Sequence, residues 1–236
     1  MDAVNLATQS QEFLNYLDGW LEALPDLAGE EVFSQPERCA IISVDVINGF
    51  CAFGVLSSPR VGAIAAPIAD LFERAWESGV RKIILTQDTH EADAVEFANF
   101  PPHCVRGTPE AEPVDQFKAL PFFDHLVQMP KNSIHSGLNT GLNEWIAAHP
   151  EVDTYVVVGD CTDLCTYQLA MHLRLDANAR QLQRRVLVPV EYVDTYDRPV
   201  DVAVEQGGLP HPADLLHAVF LYHMALNGVE VARRIS

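Results

Sequence analysis

Cys39-Ala-Ile-Ile-Ser-Val-Asp-Val46 is a nearly continuous apolar run in the first quarter of the chain. Such a run is typical of a strand that is buried on both faces, as in a parallel sheet between two layers of helices. Asp45 stands at the end of the run. A carboxylate there is costly unless it is paired or takes part in chemistry, because burying an unpaired charge is heavily penalised. The alternative is an aspartate that only caps the following turn.

Strand and helix patterns alternate along the rest of the chain. Apolar periodicity and turn residues predict helices near residues 61–78, 142–149, 164–179 and 212–226, and further strands near 82–86, 126–129, 154–158, 185–188 and 229–235. Strands that alternate with helices indicate a parallel sheet covered on both faces. We therefore predict an α/β fold, doubly wound, with a mainly parallel sheet of about six strands and helices on both faces.

The N-terminal residues form a separate pattern. Apolar side chains recur at helical spacing between Phe13 and Leu24, which predicts an amphipathic helix that packs on the domain or on a neighbouring subunit. We accordingly expect a helical extension over residues 1–30 and a single α/β domain over residues 31–236. Because this helix could pack on a neighbouring subunit, a homo-oligomer is one of the two possible arrangements.

Composition restricts the partners. The 236 residues include 33 acidic and 15 basic side chains, for a formal charge of −18, and this excess repels phosphate backbones and anionic lipid. We therefore expect no nucleic-acid or membrane partner. The sequence lacks an apolar stretch of membrane-spanning length, a secretory layout at its N-terminus and a paired-cysteine framework. We expect a cytoplasmic protein with free thiols.

Four strand ends carry polar residues. In open α/β sheets, ligands bind outside the carboxyl ends of the strands. This rule selects Asp45 after the first strand, residues 87–90 after the second, Lys131 after the third and residues 159–165 after the fourth. The fold would bring these distant segments to one edge of the sheet.

Cys165 is the candidate nucleophile. It follows a strand and a tight turn and stands at the start of a predicted helix, which Thr162 or Asp163 could cap. The positive end of the helix dipole would lower the pKa of a cysteine in the first turn. Lys131 beside that sulfur and beside an acid would complete a set of thiolate, acid/base and cation. A buried structural cysteine is the alternative, and Cys161 is a rival nucleophile.

A second set of side chains is typical of a metal site. Two imidazoles and two carboxylates fall within sixteen residues of irregular chain: Asp88, His90, Glu96 and His103. Such a set suits zinc, manganese or iron, although a solvated acidic loop with incidental histidines would give the same pattern. The other seven histidines share no ligand spacing. The chain has no phosphate-binding loop, so NAD or ATP is not expected as a cofactor.

Three segments resemble the signature segments of the isochorismatase-like cysteine hydrolases: residues 44–50, Lys131 and residues 159–165. The resemblance covers roughly residues 39–236. Within that superfamily, residues 88–108 are similar to nicotinamidases, and residues 188–193, 211–215 and 228–236 are similar to the plant-type branch.

The resemblance implies a cysteine amidohydrolase that converts nicotinamide to nicotinate and ammonia through a thioester. Cys165 would be the nucleophile, Asp45 the general base and later acid, and Lys131 the cation that orients the base. A cis peptide bond is implied between Asp160 and Cys161. It would turn the backbone N–H groups of residues 161 and 165 toward an oxyanion.

The same resemblance assigns one divalent metal ion, zinc with manganese or iron as alternatives. Its ligands would be the four side chains Asp88, His90, Glu96 and His103. The ion would bind the pyridine nitrogen of the substrate and position the ring.

Two departures from the family pattern concern the metal site and the substrate site, and a glutamate among the ligands adds negative charge that could alter the choice of metal. Some members have histidine at the position of Glu96 and tryptophan at the position of Phe100. Phe100 still offers a ring that stacks on a pyridine, as does Phe50.

Two other functions remain open. The first is another amidohydrolase on this scaffold, acting on carbamoyl, ureido or enol-ether substrates; such relatives usually lack the complete metal set. The second is a metal-binding assembly module without turnover, which would leave the combination of Asp45, Lys131 and Cys165 unexplained.

Overall fold

The strands and helices below belong to a computed structural model that describes residues 5–236. The strands are β1 Asp26–Leu27, β2 Cys39–Val44, β3 Lys82–Asp88, β4 Val127–Lys131, β5 Thr154–Asp160, β6 Arg185–Pro189, β7 Val193–Asp194, β8 Glu230–Ala232 and β9 Arg234–Ile235. The helices are α1 Leu6–Gln9, α2 Gln11–Glu22, α3 Gly29–Val32, α4 Asn48–Cys51, α5 Pro59–Ala63, α6 Ala65–Glu77, α7 Asp115–Lys118, α8 Leu142–Ala148, α9 Cys165–Ala179, α10 Val200–Gln206 and α11 Ala213–Leu226.

The main sheet confirms the predicted α/β class. Six parallel strands run in the order β4-β3-β2-β5-β6-β8, and the two-residue strand β7 pairs with the end of β5 as a seventh. All six residues of β2 are buried, as expected for the central apolar run. Ile41 of β2 lies opposite Ile83 on one side and Val156 on the other. The carboxyl ends of β4, β3, β2 and β5 therefore meet at one edge.

Helices bury apolar side chains on each face of the sheet. On one face, Phe72 and Ile68 of α6 pack in a cluster with Ile41. On the other face, Leu169 of α9 and Leu221 of α11 pack in a cluster with Ile42. Alternate residues of β2 thus point to opposite helical layers, which is the side-chain period of a strand.

The N-terminal segment lies against the C-terminal part of the chain. Leu17 of α2 is buried, and the Trp20 ring lies edge-on to Tyr222 of α11, with 5.3 Å between centroids. Strand β1 pairs with β9 in a separate two-stranded parallel sheet. Among the helices over residues 5–236, none is both long and apolar enough to cross a membrane.

Three local predictions are wrong. The helix expected over residues 61–78 is two helices, α5 and α6, which meet at Ile64. The strand expected over residues 229–235 is two strands in two sheets, because the backbone N–H of Arg233 donates to the carbonyl of Pro25 between them. Helix α9 has Leu164 at its N-cap position and no side-chain cap, so neither Thr162 nor Asp163 caps it.

Candidate active site

Three neighbouring strand ends meet at one buried lysine. Asp45 follows β2, Asp88 ends β3 and Lys131 ends β4. Lys131 Nζ lies 2.8 Å from Asp45 Oδ2 and 2.5 Å from Asp88 Oδ1, and it donates to the carbonyl of Ser133 at 3.1 Å. The lysine side chain is 0% exposed. One cation therefore joins two acids, and all three side chains are buried.

The lysine and the two acids shift one another's pKa. Burial and the Asp88 charge raise the pKa of Asp45, Lys131 lowers it, and the result is about 7. Burial works against ionised Asp88, but the Lys131 ammonium holds its pKa below the ordinary value. Burial likewise works against the ammonium, whose pKa the two carboxylates nevertheless keep well above its usual range. Asp45 is thus the acid of the pair that can exchange a proton near neutral pH.

Asp45 has a constrained backbone as well. Its φ is +58°, in the left-handed region, and its Oδ1 accepts a hydrogen bond of 2.7 Å from the backbone N–H of Asp88. An aspartate visits this region more readily than most residues because its short side chain can bond locally. The Asp45 carboxylate is consequently held at both oxygens, by the Asp88 backbone N–H at Oδ1 and by the Lys131 ammonium at Oδ2.

Cys165 begins α9 on the other side of the lysine. Its Sγ lies 3.7 Å from Lys131 Nζ, and the ligand atoms of Asp45, Asp88 and Cys165 all lie within 4.8 Å of one another. Burial raises the pKa of the Cys165 thiol well above its ordinary value; Lys131 opposes this shift and Asp45 adds to it. The expected lowering of this pKa by the helix dipole is therefore not found. The Asp45 carboxylate adjoins the sulfur and could accept a proton from it.

The turn before Cys165 comes close to β2. Gly159 has a φ of +110°, and a Cβ on it would lie 2.1 Å from the carbonyl oxygen of Val44, so only glycine fits there. The peptide bond between Asp160 and Cys161 is cis. The Asp160 side chain is buried, and burial raises the pKa of its carboxyl well above the usual range. The Cys161 thiol lies outside the cluster of Asp45, Asp88 and Cys165.

A second group adjoins the first through Asp88. Its Oδ2 lies 3.6 Å from His90 Nε2 and 3.9 Å from His103 Nε2. These three ligand atoms lie within 4.8 Å of one another, and all three residues are buried. A tetrahedral ion with bonds of about 2.1 Å needs ligand atoms about 3.4 Å apart. The spacing therefore suits a bound metal ion.

The two imidazoles are oriented for ligation. His90 Nδ1 lies 3.0 Å from Asn132 Oδ1, and His103 Nδ1 lies 2.8 Å from the carbonyl oxygen of Pro101. Each Nδ1 therefore donates outward and leaves the Nε2 lone pair directed at Asp88. His90 Nε2 is buried and has no hydrogen-bond partner, which fits an atom that ligates a cation.

Glu96 stands apart from that group. It is half-buried in a short 3₁₀ turn, Val95–Ala98, and does not belong to the three-residue ligand cluster, although its charge acts on His90. The predicted set of four is thus three converging ligands and one carboxylate beside them.

Aromatic rings surround the two histidines. The centroids of Phe50 and Phe100 lie 5.6 and 6.2 Å from that of His103. Phe97, which sequence reasoning missed, lies 5.4 Å from His90 and 5.7 Å from His103. Its place in a short turn had no sequence signal that set it apart. Asn132 was also missed, although its position directly after Lys131 could have indicated a role at the strand end.

Comparison with known proteins identifies the family. The Isochorismatase domain matches residues 39–181, which is more than half of the chain. The chain belongs to the isochorismatase family. This isochorismatase-family chain is 30% identical over 228 residues to Nicotinamidase 1 of Arabidopsis thaliana, covering 87% of this chain and 89% of the relative. It is also 31% identical over 162 residues to a nicotinamidase/pyrazinamidase of Mycobacterium tuberculosis, covering 63% of this chain and 83% of the relative.

Solved structures of other proteins share the fold. A cysteine hydrolase from Pseudomonas syringae superposes with a TM-score of 0.68 at 22% identity, covering 85% of this chain and 90% of the other. The pyrazinamidase of Pyrococcus horikoshii, solved in complex with zinc, gives 0.65 at 22% identity and covers 83% and 99%. The predicted family is confirmed, and the chain is a hydrolase of the isochorismatase family with nicotinamidase relatives.

Proposed function

We propose that this hydrolase is a nicotinamidase, which converts nicotinamide and water to nicotinate and ammonia. One observation carries the proposal: Lys131 Nζ bridges Asp45 and Asp88 and lies 3.7 Å from the Cys165 sulfur, while Asp88 also faces two histidines. The proposed nucleophile and base thus lie beside the same lysine. That lysine also contacts Asp88, the carboxylate that faces the proposed anchor of the substrate ring. Similarity to nicotinamidases over most of the chain supports the same substrate.

In the first half-reaction, Asp45 accepts the proton of the Cys165 thiol, and the sulfur attacks the carboxamide carbon. A pKa of about 7 suits a group that accepts and returns a proton at neutral pH. The backbone N–H groups of Cys161 and Cys165 stabilise the oxyanion of the tetrahedral adduct. Asp45 then gives its proton to the amide nitrogen, the C–N bond breaks, and ammonia leaves behind a thioester.

In the second half-reaction, Asp45 accepts a proton from water as the water oxygen attacks the thioester carbon. The C–S bond breaks and the proton on Asp45 returns to the Cys165 sulfur. The product leaves as nicotinic acid, which releases its carboxyl proton to solvent and becomes nicotinate. Lys131 keeps Asp45 oriented in both halves and offsets the negative charge that forms near the sulfur.

The substrate ring would lie among the aromatic side chains. Phe50 and Phe100 flank His103 and offer faces on which a flat pyridine stacks. Asp88, His90 and His103 would hold one divalent ion, for which we propose zinc, and Glu96 would approach it from the 3₁₀ turn. When bound, the ion anchors the pyridine nitrogen as a template.

Asn132, which accepts the hydrogen bond that orients His90, yields a prediction about metal binding. Asn132→Ala removes the acceptor of the His90 Nδ1 proton, and we expect it to weaken zinc binding by about 10- to 100-fold. Calorimetric titration of chelator-stripped protein with zinc would measure this affinity and a stoichiometry near one. Asn143→Ala is the matched control, because Asn143 Oδ1 holds His172 Nε2 at 2.7 Å in another part of the chain. Equal zinc affinity in the Asn132 variant and the wild type would contradict the prediction.

The decisive experiment is an ammonia-release assay with nicotinamide, with carbamoyl and ureido compounds as comparison substrates. We expect turnover of nicotinamide and loss of that turnover when a chelator removes the ion. Preference for a carbamoyl or ureido compound would contradict the proposed substrate and assign the protein to the other class of amidohydrolase. Absence of turnover on every substrate would favour a metal-binding module. The proposed reaction is a step of pyridine-nucleotide salvage, for which we propose a cytoplasmic location.

A further inference from the structure

Asp163, two residues before the proposed nucleophile, is fixed by side chains from a distant segment. Its Oδ1 accepts a hydrogen bond of 2.6 Å from Thr195 Oγ1, and its Oδ2 lies 2.7 Å from His211 Nε2. Asp163 and His211 are buried at 7% and 8% exposure, and Thr195 is fully buried. Both carboxylate oxygens are thus engaged by residues that follow it by 32 and 48 positions.

His211 is itself fixed at every polar atom of its ring and backbone. Its Nδ1 donates to the carbonyl of Tyr196 at 2.8 Å, and its ring stacks on the Tyr196 ring with 3.8 Å between centroids. Its backbone forms an antiparallel bridge with Arg198, with bonds of 2.8 and 2.9 Å. Burial works against a charged ring, but the Asp163 carboxylate raises the pKa of His211 above its ordinary value. His211 therefore attaches the segment of residues 196–211 to Asp163.

The preceding residue is held from the same side. Thr162 N–H donates to the carbonyl of Asp194 at 3.0 Å, and Thr162 Oγ1 lies 2.8 Å from His217 Nδ1. Since α9 has no side-chain cap, these contacts take the place of a cap in holding the turn that leads into Cys165. The residues that do so lie more than 30 positions downstream.

We propose that Asp163 and His211 are positioning residues for Cys165, and that the Asp163–His211 contact holds the sulfur and its backbone N–H at the geometry the reaction needs. The proposal rests on the proposed function of Cys165 as nucleophile. Neither residue touches the reacting atoms. They act through the three-residue turn from Asp163 to Cys165, whose displacement moves the sulfur away from Lys131 and Asp45.

The test uses paired variants in the full chain. Asp163→Ala removes both contacts, whereas Asp163→Asn keeps them, because an asparagine amide can donate to neutral His211 Nε2 and accept from Thr195. His211→Gln places its side-chain amide where Nε2 lies and keeps the contact with Asp163. His211→Asn places its shorter amide where Nδ1 lies and keeps only the contact with the carbonyl of Tyr196. Asp176→Ala is the control, because Asp176 lies on the same helix and pairs with Arg184 at 2.9 Å far from the turn.

We expect Asp163→Ala and His211→Asn to lower kcat by about 100-fold, because a displacement of about 1 Å at a reacting atom has an effect of this size. KM should stay within about threefold, since the groups proposed to bind the ring are unchanged. Asp163→Asn, His211→Gln and Asp176→Ala should keep most of the activity. Thermal denaturation of each variant checks that it is folded.

The rate of iodoacetamide alkylation of the Cys165 peptide, followed by mass spectrometry, gives a readout that does not depend on nicotinamide. It should differ about tenfold from the wild-type rate in Asp163→Ala and His211→Asn, where the sulfur leaves its place beside Lys131 and Asp45, and it should stay at the wild-type rate in the other variants. Wild-type kcat and alkylation in Asp163→Ala, or equal losses in His211→Gln and His211→Asn, would overturn the proposal. If the wild type releases no ammonia from nicotinamide, the proposed function fails, and the order of the alkylation rates still decides the positioning role.

Discussion

Cys165→Ala is expected to abolish ammonia release from nicotinamide, with kcat lowered by at least about 10⁴-fold, because the proposed thioester forms on the Cys165 sulfur. The change removes one sulfur 3.7 Å from Lys131 Nζ and leaves Asp88, His90 and His103 intact. The variant should therefore still take up one equivalent of metal. Ammonia release and metal analysis on the same preparation measure both results.

Cys161→Ala is the matched control for the nucleophile. Cys161 lies four residues earlier in the same turn, and its side chain contributes no atom to the cluster around Lys131. We propose that it contributes its backbone N–H, which alanine keeps, so activity should remain within about tenfold of the wild type. Turnover by the Cys165 variant, or a dead Cys161 variant that is folded, would reverse the assignment of the nucleophile.

Lys131→Met is expected to lower the free energy of unfolding by about 3–5 kcal/mol, because it leaves two buried carboxylates without their cation. Methionine keeps most of the length and volume of the side chain, so the loss is mainly one of charge rather than of packing. Denaturant unfolding at neutral pH, with chelator present in all samples, measures the difference between variant and wild type.

Lys118→Met provides the comparison for a surface ion pair. Lys118 Nζ lies 2.7 Å from Glu112 Oε2, but the two side chains are 34% and 57% exposed. Its loss should change the unfolding free energy by less than about 1 kcal/mol. A Lys131 variant as stable as the Lys118 variant would mean that the acids at the strand ends do not depend on the ammonium.

The residues that meet at the strand ends could be predicted because their positions follow from the fold alone. Once β2, β3, β4 and β5 are recognised as parallel neighbours, Asp45, Asp88, Lys131 and the turn before Cys165 must share an edge. The apolar run of β2 is enough to identify the central strand, because burial on both faces leaves no polar alternation.

What the sequence did not reveal depends on contacts between distant segments. Local rules favour Thr162 or Asp163 as a helix cap, yet their side chains bond to His217 and to His211 with Thr195. Local rules also predict a lowered pKa for Cys165, whereas burial raises it. The sequence positions of the histidines outside residues 88–103 show no ligand spacing, so they do not single out His211. In each case tertiary contacts outweigh a preference that is weak by itself.

Asp88 belongs to both halves of the site through different oxygens. Oδ1 contacts the ammonium of Lys131, and Oδ2 faces the imidazoles of His90 and His103. Electron density drawn toward one oxygen is withdrawn from the other, so the identity of an ion held by the histidines would be felt by the acid at position 45. If the histidines hold an ion as proposed, a variant selected for a different metal is expected to show altered reactivity at Cys165 as well, because both effects pass through Asp88.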